Sequence, residues 1–272
     1  MKRLFIRIFP KLGLQILYFK THRKFYNIKN PSDFYEKLIW LNFFENNSNK
    51  TLCADKFLVR EYLRKLGLEQ YLNELYGVYD DTKQIDFAVL PEKFILKCNH
   101  GANFNIICRD KSTFDTKSAL KKLQKWLKHD YSLNYAELHY HNISRKILCE
   151  KFLGDYLNDY KVYCFNGTPE FVMICTNPSL GSINYYLYSF EWEYIKFLKE
   201  YLPDPDIEKP KCLDELYNLT VKLSSEFKFV RIDTYIQNDR IIFGEMTFTP
   251  SGFLDSDTLL SINKLLGDMI KL

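Results

Sequence analysis

The sequence predicts an α+β protein, because segments with a helical pattern and segments with a strand pattern follow one another along the chain. Residues 33–90 are mostly helical in pattern, and residues 92–175 hold short β-like runs divided by one strongly patterned helix over 116–128. A β-hairpin over 227–247 and a helix over 256–271 complete the order. Apolar residues at intervals of three or four predict helices, whereas short apolar runs bounded by turn residues predict strands.

The individual elements follow from the same two patterns. The segment Asp55–Leu66 spaces its apolar residues at helical intervals, and a second helix is expected over 213–226. Five short runs predict strands: Phe94–Lys97, Asn105–Cys108, Lys146–Phe152, Lys161–Phe165 and Glu170–Cys175. A chain of 272 residues is long enough to divide into two or three lobes, each with a core.

The cysteines indicate a reducing environment. They stand at positions 53, 98, 108, 149, 164, 175 and 212, and no two of them form a Cys-x-x-Cys pair. Most lie inside apolar, strand-like runs, so we expect reduced core thiols in a cytoplasmic protein.

The hairpin carries one carboxylate on each predicted strand. Asp233 ends the first run and Glu245 lies in the second, with a polar turn at Asn238 between them. On a largely apolar sheet the two charges would raise each other's pKa, and a bound divalent cation is the simplest way to keep both ionised. Such oxygen ligands suit Mg²⁺ bound together with nucleotide phosphates. The alternative is two exposed carboxylates with a structural role.

A second candidate site is the short loop 99–105, which follows the strand that ends at Lys97. Neither a G-x-x-x-x-G-K-[ST] nor a G-x-G-x-x-G motif occurs in the chain. A tight loop can instead place backbone N–H groups around phosphate oxygens, and Lys97 would add a positive charge. An ordinary hairpin turn explains this loop equally well.

Positive charge is concentrated in the first 32 residues. They contain eight cations and no acidic residue, namely Lys2, Arg3, Arg7, Lys11, Lys20, Arg23, Lys24 and Lys29. Large apolar side chains stand between these cations, a mixture typical of a segment that lies on an anionic membrane surface. A basic helix packed on the body of the protein is the equally supported alternative. The basic excess does not continue into the body, which argues against nucleic-acid binding.

Several blocks of sequence, taken in order, resemble the ATP-grasp superfamily and most closely its TupA-like branch, which is found in bacterial surface-polysaccharide gene clusters. The blocks are Tyr35–Leu41, Ala54–Leu63, Val89–Gly101, Cys149–Leu153, Asp159–Gly167 and Val230–Gly252. The resemblance spans about residues 33–270 and implies an ATP-grasp fold, in which two β-rich subdomains hold ATP between them, with a helical N-terminal region.

The resemblance also implies a division into four parts. These are a basic and apolar segment over 1–32, a helical region over 33–90, a lid subdomain with the phosphate loop over 91–160, and a C-terminal subdomain with the magnesium site over 161–272.

In this family resemblance, five residues of the helical region and the lid subdomain would bind phosphate. Lys56 and Lys97 would contact the α- and β-phosphates of ATP, and Lys97 is also a candidate catalytic residue. The loop with His100, Gly101 and Asn103 would cover the phosphates as a lid. Family loops usually have His-Gly-Ser-Gly-Trp-Asn here, so Asn103 replaces a glycine, which we expect to stiffen the lid.

The resemblance assigns the nucleoside to the following segment. Glu150, Lys151 and Leu153 match the hinge that contacts adenine through backbone groups and one side chain. Asp159 matches the ribose-hydroxyl acceptor, and Lys161 takes the place of a basic residue often found two positions later.

The hairpin would supply the metal ligands. Asp233 and Glu245 match the magnesium carboxylates, and Thr247 stands where many members carry asparagine as a ligand. Arg231 matches the catalytic arginine that stabilises negative charge in the transition state, a task suited to a fixed fork of donors. The tail Thr249–Gly252 is one residue shorter than the usual Thr-Pro-Gly-Ser-Gly.

The chemistry that the resemblance implies is ADP-forming ligation of a carboxylate and an amine through an acyl phosphate. In this branch the carboxylate is expected to be a uronic acid in a sugar nucleotide or lipid-linked glycan, with an amino acid or small amine as its partner. The reverse assignment, an acidic amino acid and an amino sugar, stays open. Replacing Asp233 or Glu245 by the amide is expected to abolish turnover and spare the fold.

The alternative function is a glycosyltransferase that uses a sugar nucleotide and a metal-binding Asp-x-Asp motif. The chain offers Asp204-Pro-Asp206 and Asp255-Ser-Asp257. The first pair lies between prolines without a preceding apolar strand, and the second is typical of a helix start. Both pairs are therefore interpreted as structural.

Overall fold

The computed structural model describes residues 2–155, 157–176, 183–200 and 202–272. Its helices are α1 (Lys2–Ile8), α2 (Pro10–His22), α3 (Phe34–Phe44), α4 (Asn49–Ala54), α5 (Val59–Lys65), α6 (Thr116–Leu127), α7 (Leu213–Ser224) and α8 (Leu260–Met269). Its strands are β1 (Leu75–Tyr79), β2 (Phe94–Cys98), β3 (Asn105–Cys108), β4 (Ile147–Lys151), β5 (Asp159–Phe165), β6 (Thr168–Thr176), β7 (Asn184–Ser189), β8 (Tyr194–Ile195), β9 (Phe229–Gln237) and β10 (Arg240–Thr247). The α+β prediction is confirmed.

The chain forms two compact units, each built on an antiparallel sheet. The six-stranded unit contains Met1–Asn47, Leu133–Leu138 and Tyr156–Leu272, and the four-stranded unit contains Ser48–Ser132 and His139–Asp155. The strand orders are β10-β9-β5-β6-β7-β8 and β1-β4-β2-β3, respectively. The division into four parts stays a prediction.

Most predicted elements occur where the patterns placed them, but two helices begin later than expected. The helix predicted over 256–271 starts only at Leu260, and β1 lies within the region 33–90 that was predicted to be mostly helical. The helix predicted over Asp55–Leu66 starts only at Val59. Asp55 Oδ1 accepts hydrogen bonds from the backbone N–H groups of Phe57 (2.8 Å) and Leu58 (3.2 Å). A short polar side chain that binds the backbone in this way favours a turn over a helix.

The core of the four-stranded unit lies between its sheet and α6. Phe94 and Leu96 of β2, Ile147 and Cys149 of β4, and Leu123 of α6 are fully buried in one cluster. In β2 the buried residues alternate with half-buried ones, because successive side chains of a strand point to opposite faces. The face away from this core therefore presents Ile95 and Lys97.

The six-stranded unit is covered on both faces of its sheet. Helix α7 packs against β5, β6 and β9 with Leu216, Leu219 and Leu223 fully buried. On the other face, Phe165 and Phe229 join a cluster with residues of α1, α2, α3 and α8. That cluster covers only part of the face, and the rest of it is polar.

The first two helices pack on the six-stranded unit through one side. Ile6, Leu14 and Tyr18 are buried in its cluster with at most 2% of their surface exposed. The inner side of this segment is therefore packed on the body of the protein, as one of the two predicted alternatives states. Membrane contact of the segment stays a prediction. None of the helices in the described ranges combines the length and apolar character needed to cross a membrane.

The seven cysteines are all free and buried, as their sequence context predicts. Burial raises the pKa of the Cys98, Cys149 and Cys175 thiols to about 12. These groups are therefore protonated at neutral pH and act as small apolar core residues.

Candidate functional site

The hairpin that carries the candidate metal ligands has a two-residue turn and a bulge. Asn238 and Asp239 form the turn, both with positive φ (52° and 59°), as the predicted polar turn requires. The pairing of β10 with β9 shifts between Phe243 and Glu245, which leaves Gly244 as the extra residue. A Cβ atom at Gly244 would lie 2.9 Å from the Asp233 carbonyl oxygen, so glycine fits this bulge.

The bulge brings the two carboxylates opposite each other. Glu245 pairs with Asp233, and Thr247 pairs with Arg231. On the other side of β9, Lys161 pairs with Asp233, and β5 also brings Asp159 to the same face. Directly opposite residues of an antiparallel pair share a face, so these side chains lie together. We call this set the charged sheet face: Asp159, Lys161, Arg231, Asp233, Glu245 and Thr247.

Asp233 is the centre of the charged sheet face. Its Oδ1 accepts a hydrogen bond from Arg231 Nε at 2.7 Å, and its Oδ2 accepts one from Arg231 Nη2 at 2.7 Å and one from Lys161 Nζ at 2.8 Å. The Asp233 side chain is 8% exposed. Two cations of the chain itself therefore balance this buried carboxylate, whereas the sequence predicted only its repulsion by Glu245.

Lys161 is held between two carboxylates. Its Nζ lies 2.8 Å from Asp233 and 3.1 Å from Asp159. Burial alone would lower the pKa of Lys161, but the combined attraction of Asp233 and Asp159 outweighs burial, so the pKa lies above its usual range. Lys161 therefore keeps its charge and links the predicted ribose acceptor to the predicted metal ligand.

Arg231 is fixed by more than its carboxylate partner. Besides the bidentate pair with Asp233, its Nη2 lies 3.4 Å from the Thr247 hydroxyl. Tyr163 stands opposite Arg231 on β5. A guanidinium held on several sides is preorganised, as a catalytic arginine requires.

The donors on this face fit a magnesium ion in type. Asp233 and Glu245 offer carboxylate oxygens from opposite positions, and the Thr247 hydroxyl lies 3.4 Å from Glu245 Oε1. In the described residues no group of three or more His, Cys, Asp or Glu side chains is arranged to hold a metal ion. Proteins commonly bind Mg²⁺ through one or two carboxylates with substrate phosphates, so the pair is sufficient for this mode.

The four-stranded unit has a charged cluster of its own. Lys97 Nζ donates to Glu150 Oε2 at 3.0 Å, and Arg60 Nη1 lies 3.6 Å from Glu150 Oε1. We call Arg60, Lys97 and Glu150 the Lys97 cluster. Glu150 and Arg60 are 9% and 8% exposed, whereas Lys97 is 20% exposed. The side chain of Glu150, a residue of the predicted adenine hinge, is thus engaged by two cations.

The loop after β2 is anchored by Asn99, which the sequence did not single out. The Asn99 Nδ2 group donates to Asp55 Oδ1 and to the Ser144 carbonyl, both at 2.8 Å. Its Oδ1 accepts from the Lys146 backbone N–H at 2.7 Å. A buried side chain with every polar atom satisfied holds the start of the loop rigidly.

Lys56 and Asn103, two of the residues predicted to bind phosphate, lie beside this loop and within it. Lys56 Nζ donates to the Gly101 carbonyl at 2.8 Å, so this lysine already lies beside the loop. Asn103 has φ of 61°, in the left-handed region that asparagine tolerates better than most residues. The position where the family has glycine therefore keeps a glycine-like backbone, and this explains how Asn103 can replace it.

The ring of His100 points into the unit. It is 1% exposed, and its Nε2 lies 3.1 Å from the Trp126 carbonyl oxygen. Burial lowers the pKa of His100 to about 4, so the ring is neutral at pH 7. The structure therefore offers a phosphate no imidazolium charge at this residue.

The predicted adenine hinge lies at the end of β4. The backbone N–H of Lys151 donates to the Glu74 carbonyl at 3.0 Å, and its carbonyl accepts from Asn73 Nδ2 at 2.9 Å. Both backbone groups of Lys151 therefore already have partners within the four-stranded unit. Leu153 follows the strand and is half-buried.

Both Asp-x-Asp pairs are engaged in local structure. Asp204 accepts from the Tyr188 hydroxyl at 2.6 Å and from the Asp206 N–H at 3.0 Å. Asp255 accepts from the Tyr35 hydroxyl at 3.0 Å and from the Asp257 N–H at 2.7 Å. These contacts agree with the structural interpretation of the two motifs.

Sequence reasoning missed two buried polar groups next to the candidate residues. Arg60 Nη2 donates to the Asn73 carbonyl at 2.7 Å. Its position next to Glu150 depends on the pairing of β1 with β4. Glu137 accepts from the Thr249 hydroxyl at 2.5 Å, and its other oxygen, Oε2, is buried without a partner among the described residues. Both contacts join residues far apart in sequence, so no local motif indicates them.

A family model described as TupA-like ATP-grasp matches residues 36–271. A comparison with curated protein sequences finds no match.

Two solved structures show a similar fold. D-alanine–D-alanine ligase from Bacillus anthracis, complexed with ATP, has a TM-score of 0.53 at 16% identity, over 80% of this chain and 65% of the ligase. L-amino acid ligase from Bacillus licheniformis has a TM-score of 0.52 at 9% identity, over 89% of this chain and 56% of that protein. The chain therefore spans less than two thirds of each of these ligases, and the likeness shows the fold.

Proposed function

The chain belongs to the TupA-like ATP-grasp family, and we propose that it is an ATP-dependent ligase that joins a carboxylate to an amine. The observation that carries this proposal is the charged sheet face. There Asp233 and Glu245 stand opposite each other on the hairpin, with Arg231 fixed beside them. Oxygen donors next to a held guanidinium suit the transfer of a phosphoryl group, in which negative charge must be offset.

The Lys97 cluster supports a phosphate-binding role for the four-stranded unit. It holds two cations and one carboxylate, and Lys97 is the most exposed of the three side chains. Glu150 would orient Lys97 and Arg60, while Lys97 would contact a phosphate and Lys56 would do so from beside the loop. We therefore retain Lys56, Lys97, Gly101 and Asn103 as proposed ATP contacts.

The proposed reaction has two steps. A carboxylate oxygen of the first substrate attacks the γ-phosphorus of ATP, ADP leaves, and an acyl phosphate forms. The amine nitrogen then attacks the acyl carbon, phosphate leaves, and a proton is released as the amide forms. Arg231 would hold negative charge in both steps, because its donors are fixed before reaction. Mg²⁺ bound at Asp233 and Glu245 would neutralise the phosphate oxygens.

The proposed substrates are those of bacterial surface-polysaccharide synthesis. We propose a uronic acid, carried by a sugar nucleotide or a lipid-linked glycan, as the carboxylate and an amino acid or small amine as the nucleophile. The support is the match to the TupA-like family. A cytoplasmic enzyme at the inner face of the membrane would meet such glycans, and this location requires a membrane-binding surface.

The direct test is turnover of Mg-ATP with pooled uronic acids and pooled amines. The proposal predicts ADP release that depends on both pools, and a product whose mass equals the two substrates less one water. Release of UDP from a sugar nucleotide, without ADP formation, would instead establish the glycosyltransferase alternative. The Arg231→Lys variant should lose turnover, because lysine cannot form the bidentate pair with Asp233.

A further inference from the structure

The first two helices have an apolar outer side that the described part of the chain leaves exposed. The side chains are Leu4, Phe5, Ile8, Phe9, Leu12, Ile16 and Phe19, which we call the outer face. Their exposed fractions run from 36% for Phe5 to 62% for Leu4. With Phe25, this segment contributes eight of the 17 large apolar side chains that are exposed among the described residues. Such concentration in one short segment marks a binding surface.

Helix geometry separates the outer face from the packed side. At 3.6 residues per turn, Leu12, Ile16 and Phe19 lie within one narrow stripe of α2, whereas Leu14 and Tyr18 lie on the opposite side. Leu14 and Tyr18 are 0% exposed, because they are in the core of the six-stranded unit. Helix α2 is therefore apolar on two sides, and packing within the unit accounts for only one of them.

Cations flank the outer face and no acidic residue accompanies them. Lys11 and Lys20 lie about a quarter turn to either side of Leu12 on α2. Arg7, Lys20 and Arg23 are exposed and form no ion pair with any described residue. The segment up to residue 32 contains no Asp or Glu, so nothing within it neutralises this charge.

We propose that the outer face binds an anionic membrane surface. The apolar stripe would enter the boundary between headgroups and acyl chains, and the flanking cations would contact lipid phosphates. A second copy of the chain fits this face poorly, because pairing two such faces would bring the cations of both copies together. The flanking cations therefore favour an anionic partner, and the apolar stripe favours a partner with a hydrocarbon interior.

Membrane binding by the outer face is independent of the reaction that the protein catalyses. Variants of the outer face are therefore expected to keep turnover of soluble substrates. Failure to bind membranes would leave the ligase proposal intact, and failure of turnover would leave the binding surface intact.

The test is flotation of the full chain with vesicles of phosphatidylcholine alone and with vesicles that also contain phosphatidylglycerol. We expect binding to the anionic vesicles at low salt and weaker binding as salt rises, since screening shortens the reach of the cations. The double variant Arg7→Gln, Lys20→Gln should reduce binding roughly thirtyfold. Its matched control, Lys117→Gln, Lys121→Gln on the exposed side of α6, should bind like the unchanged protein.

The apolar stripe is tested by the triple variant Leu12→Ser, Ile16→Ser, Phe19→Ser. Its control is Val89→Ser, Leu260→Ser, Leu265→Ser, which removes three other exposed apolar side chains. Loss of vesicle binding in the first variant only is expected. Absence of binding to anionic vesicles at low salt, or equal binding by both triple variants, would overturn the proposal. So would a concentration-dependent dimer without vesicle binding that the first triple variant disrupts, which would make the outer face an interface between copies.

Discussion

The two units of the chain each hold a charged cluster, and the clusters differ in the sign of their excess charge. In the four-stranded unit, Arg60 and Lys97 share one carboxylate, Glu150. In the six-stranded unit, three carboxylates (Asp159, Asp233 and Glu245) accompany Lys161 and Arg231. An excess of cations suits phosphate, whereas an excess of carboxylates suits a divalent cation. Each cluster therefore suits a different ligand, phosphate in the four-stranded unit and a divalent cation in the six-stranded unit.

The clusters also differ in how their central carboxylate is supported. Asp233 has contacts of 2.7–2.8 Å with two cations, whereas Glu150 has one contact of 3.0 Å and one of 3.6 Å. Removing one member of a tightly held buried ion pair leaves the other charges uncompensated. Substitutions at the two clusters should therefore have different consequences for stability.

The largest effect is expected from Asp233→Asn. The variant should lose turnover and about 3–5 kcal/mol of the free energy of unfolding, because Arg231 and Lys161 lose their shared buried partner. Sequence reasoning alone expected the fold to be spared, and the two cation contacts reverse that expectation. Urea denaturation followed by circular dichroism measures the difference.

Glu245→Gln is the matched control for this variant. Glu245 is only half-buried, so the amide should abolish turnover while changing the free energy of unfolding by less than about 1 kcal/mol. Equal loss of the free energy of unfolding in the two variants would show that the ion pairs of Asp233 contribute no more to stability than Glu245 does.

The next effect concerns Glu137, a carboxylate of the six-stranded unit that forms no ion pair within the described parts of the chain. Burial raises the pKa of Glu137 from 4.5 to about 7, and the hydrogen bond from Thr249 opposes this only in part. Its contribution to stability is therefore complete below pH 4.5 and is lost as pH rises toward 7. Glu137→Gln should remove this loss, which amounts to roughly 3 kcal/mol at most.

The measurement for Glu137 is the free energy of unfolding of both proteins from pH 4.5 to 8. The variant should match the unchanged protein at the acidic end and exceed it increasingly up to about pH 7. A difference that stays constant across this range would mean that Glu137 does not titrate in the folded state as its burial predicts.

How far the sequence predicted the structure depends on the range of the contacts. Alternation along the hairpin and the turn at Asn238 placed Asp233 and Glu245 on one sheet correctly. The bulge at Gly244, which sets them directly opposite each other, has no counterpart in the alternation pattern. The late start of α5 follows from a local side-chain hydrogen bond that competes with helical periodicity.

The sequence patterns predicted none of the long-range polar contacts discussed above. The Lys97 cluster depends on β4 pairing with both β1 and β2, which brings Glu150 between Lys97 and Arg60. The Asn99 anchor likewise joins segments about 45 residues apart. Local patterns determine elements and faces, but ion pairs and buried hydrogen bonds depend on tertiary packing, which single-sequence patterns do not contain.

A smaller effect is expected at the Lys97 cluster. Lys97→Ala should weaken nucleotide binding by roughly tenfold or more, since a charge-assisted hydrogen bond contributes about 1.5–3 kcal/mol. The fold should be retained, because Arg60 still accompanies Glu150. Isothermal titration calorimetry with ADP measures the change, and Lys121→Ala on α6 is the control. Unchanged affinity in the Lys97 variant would remove this lysine from the proposed site.

The smallest effect is expected from Thr247→Asn, which restores the residue that many family members carry. The contacts of the Thr247 hydroxyl with Arg231 and Glu245 are both 3.4 Å long and therefore weak. We expect turnover within roughly fivefold of the unchanged protein, or a free-energy change of about 1 kcal/mol. A complete loss of turnover would show that the threonine hydroxyl is a required ligand.

The most direct test of the central claim is calorimetric titration of the protein with ATP, in the presence and absence of Mg²⁺, and with UDP. The two clusters predict that ATP binds, that Mg²⁺ strengthens its binding, and that UDP binds more weakly. Glu245→Gln should remove the effect of Mg²⁺, whereas Lys97→Ala should weaken ATP binding under both conditions. Binding of UDP without any Mg²⁺-dependent binding of ATP would contradict the account.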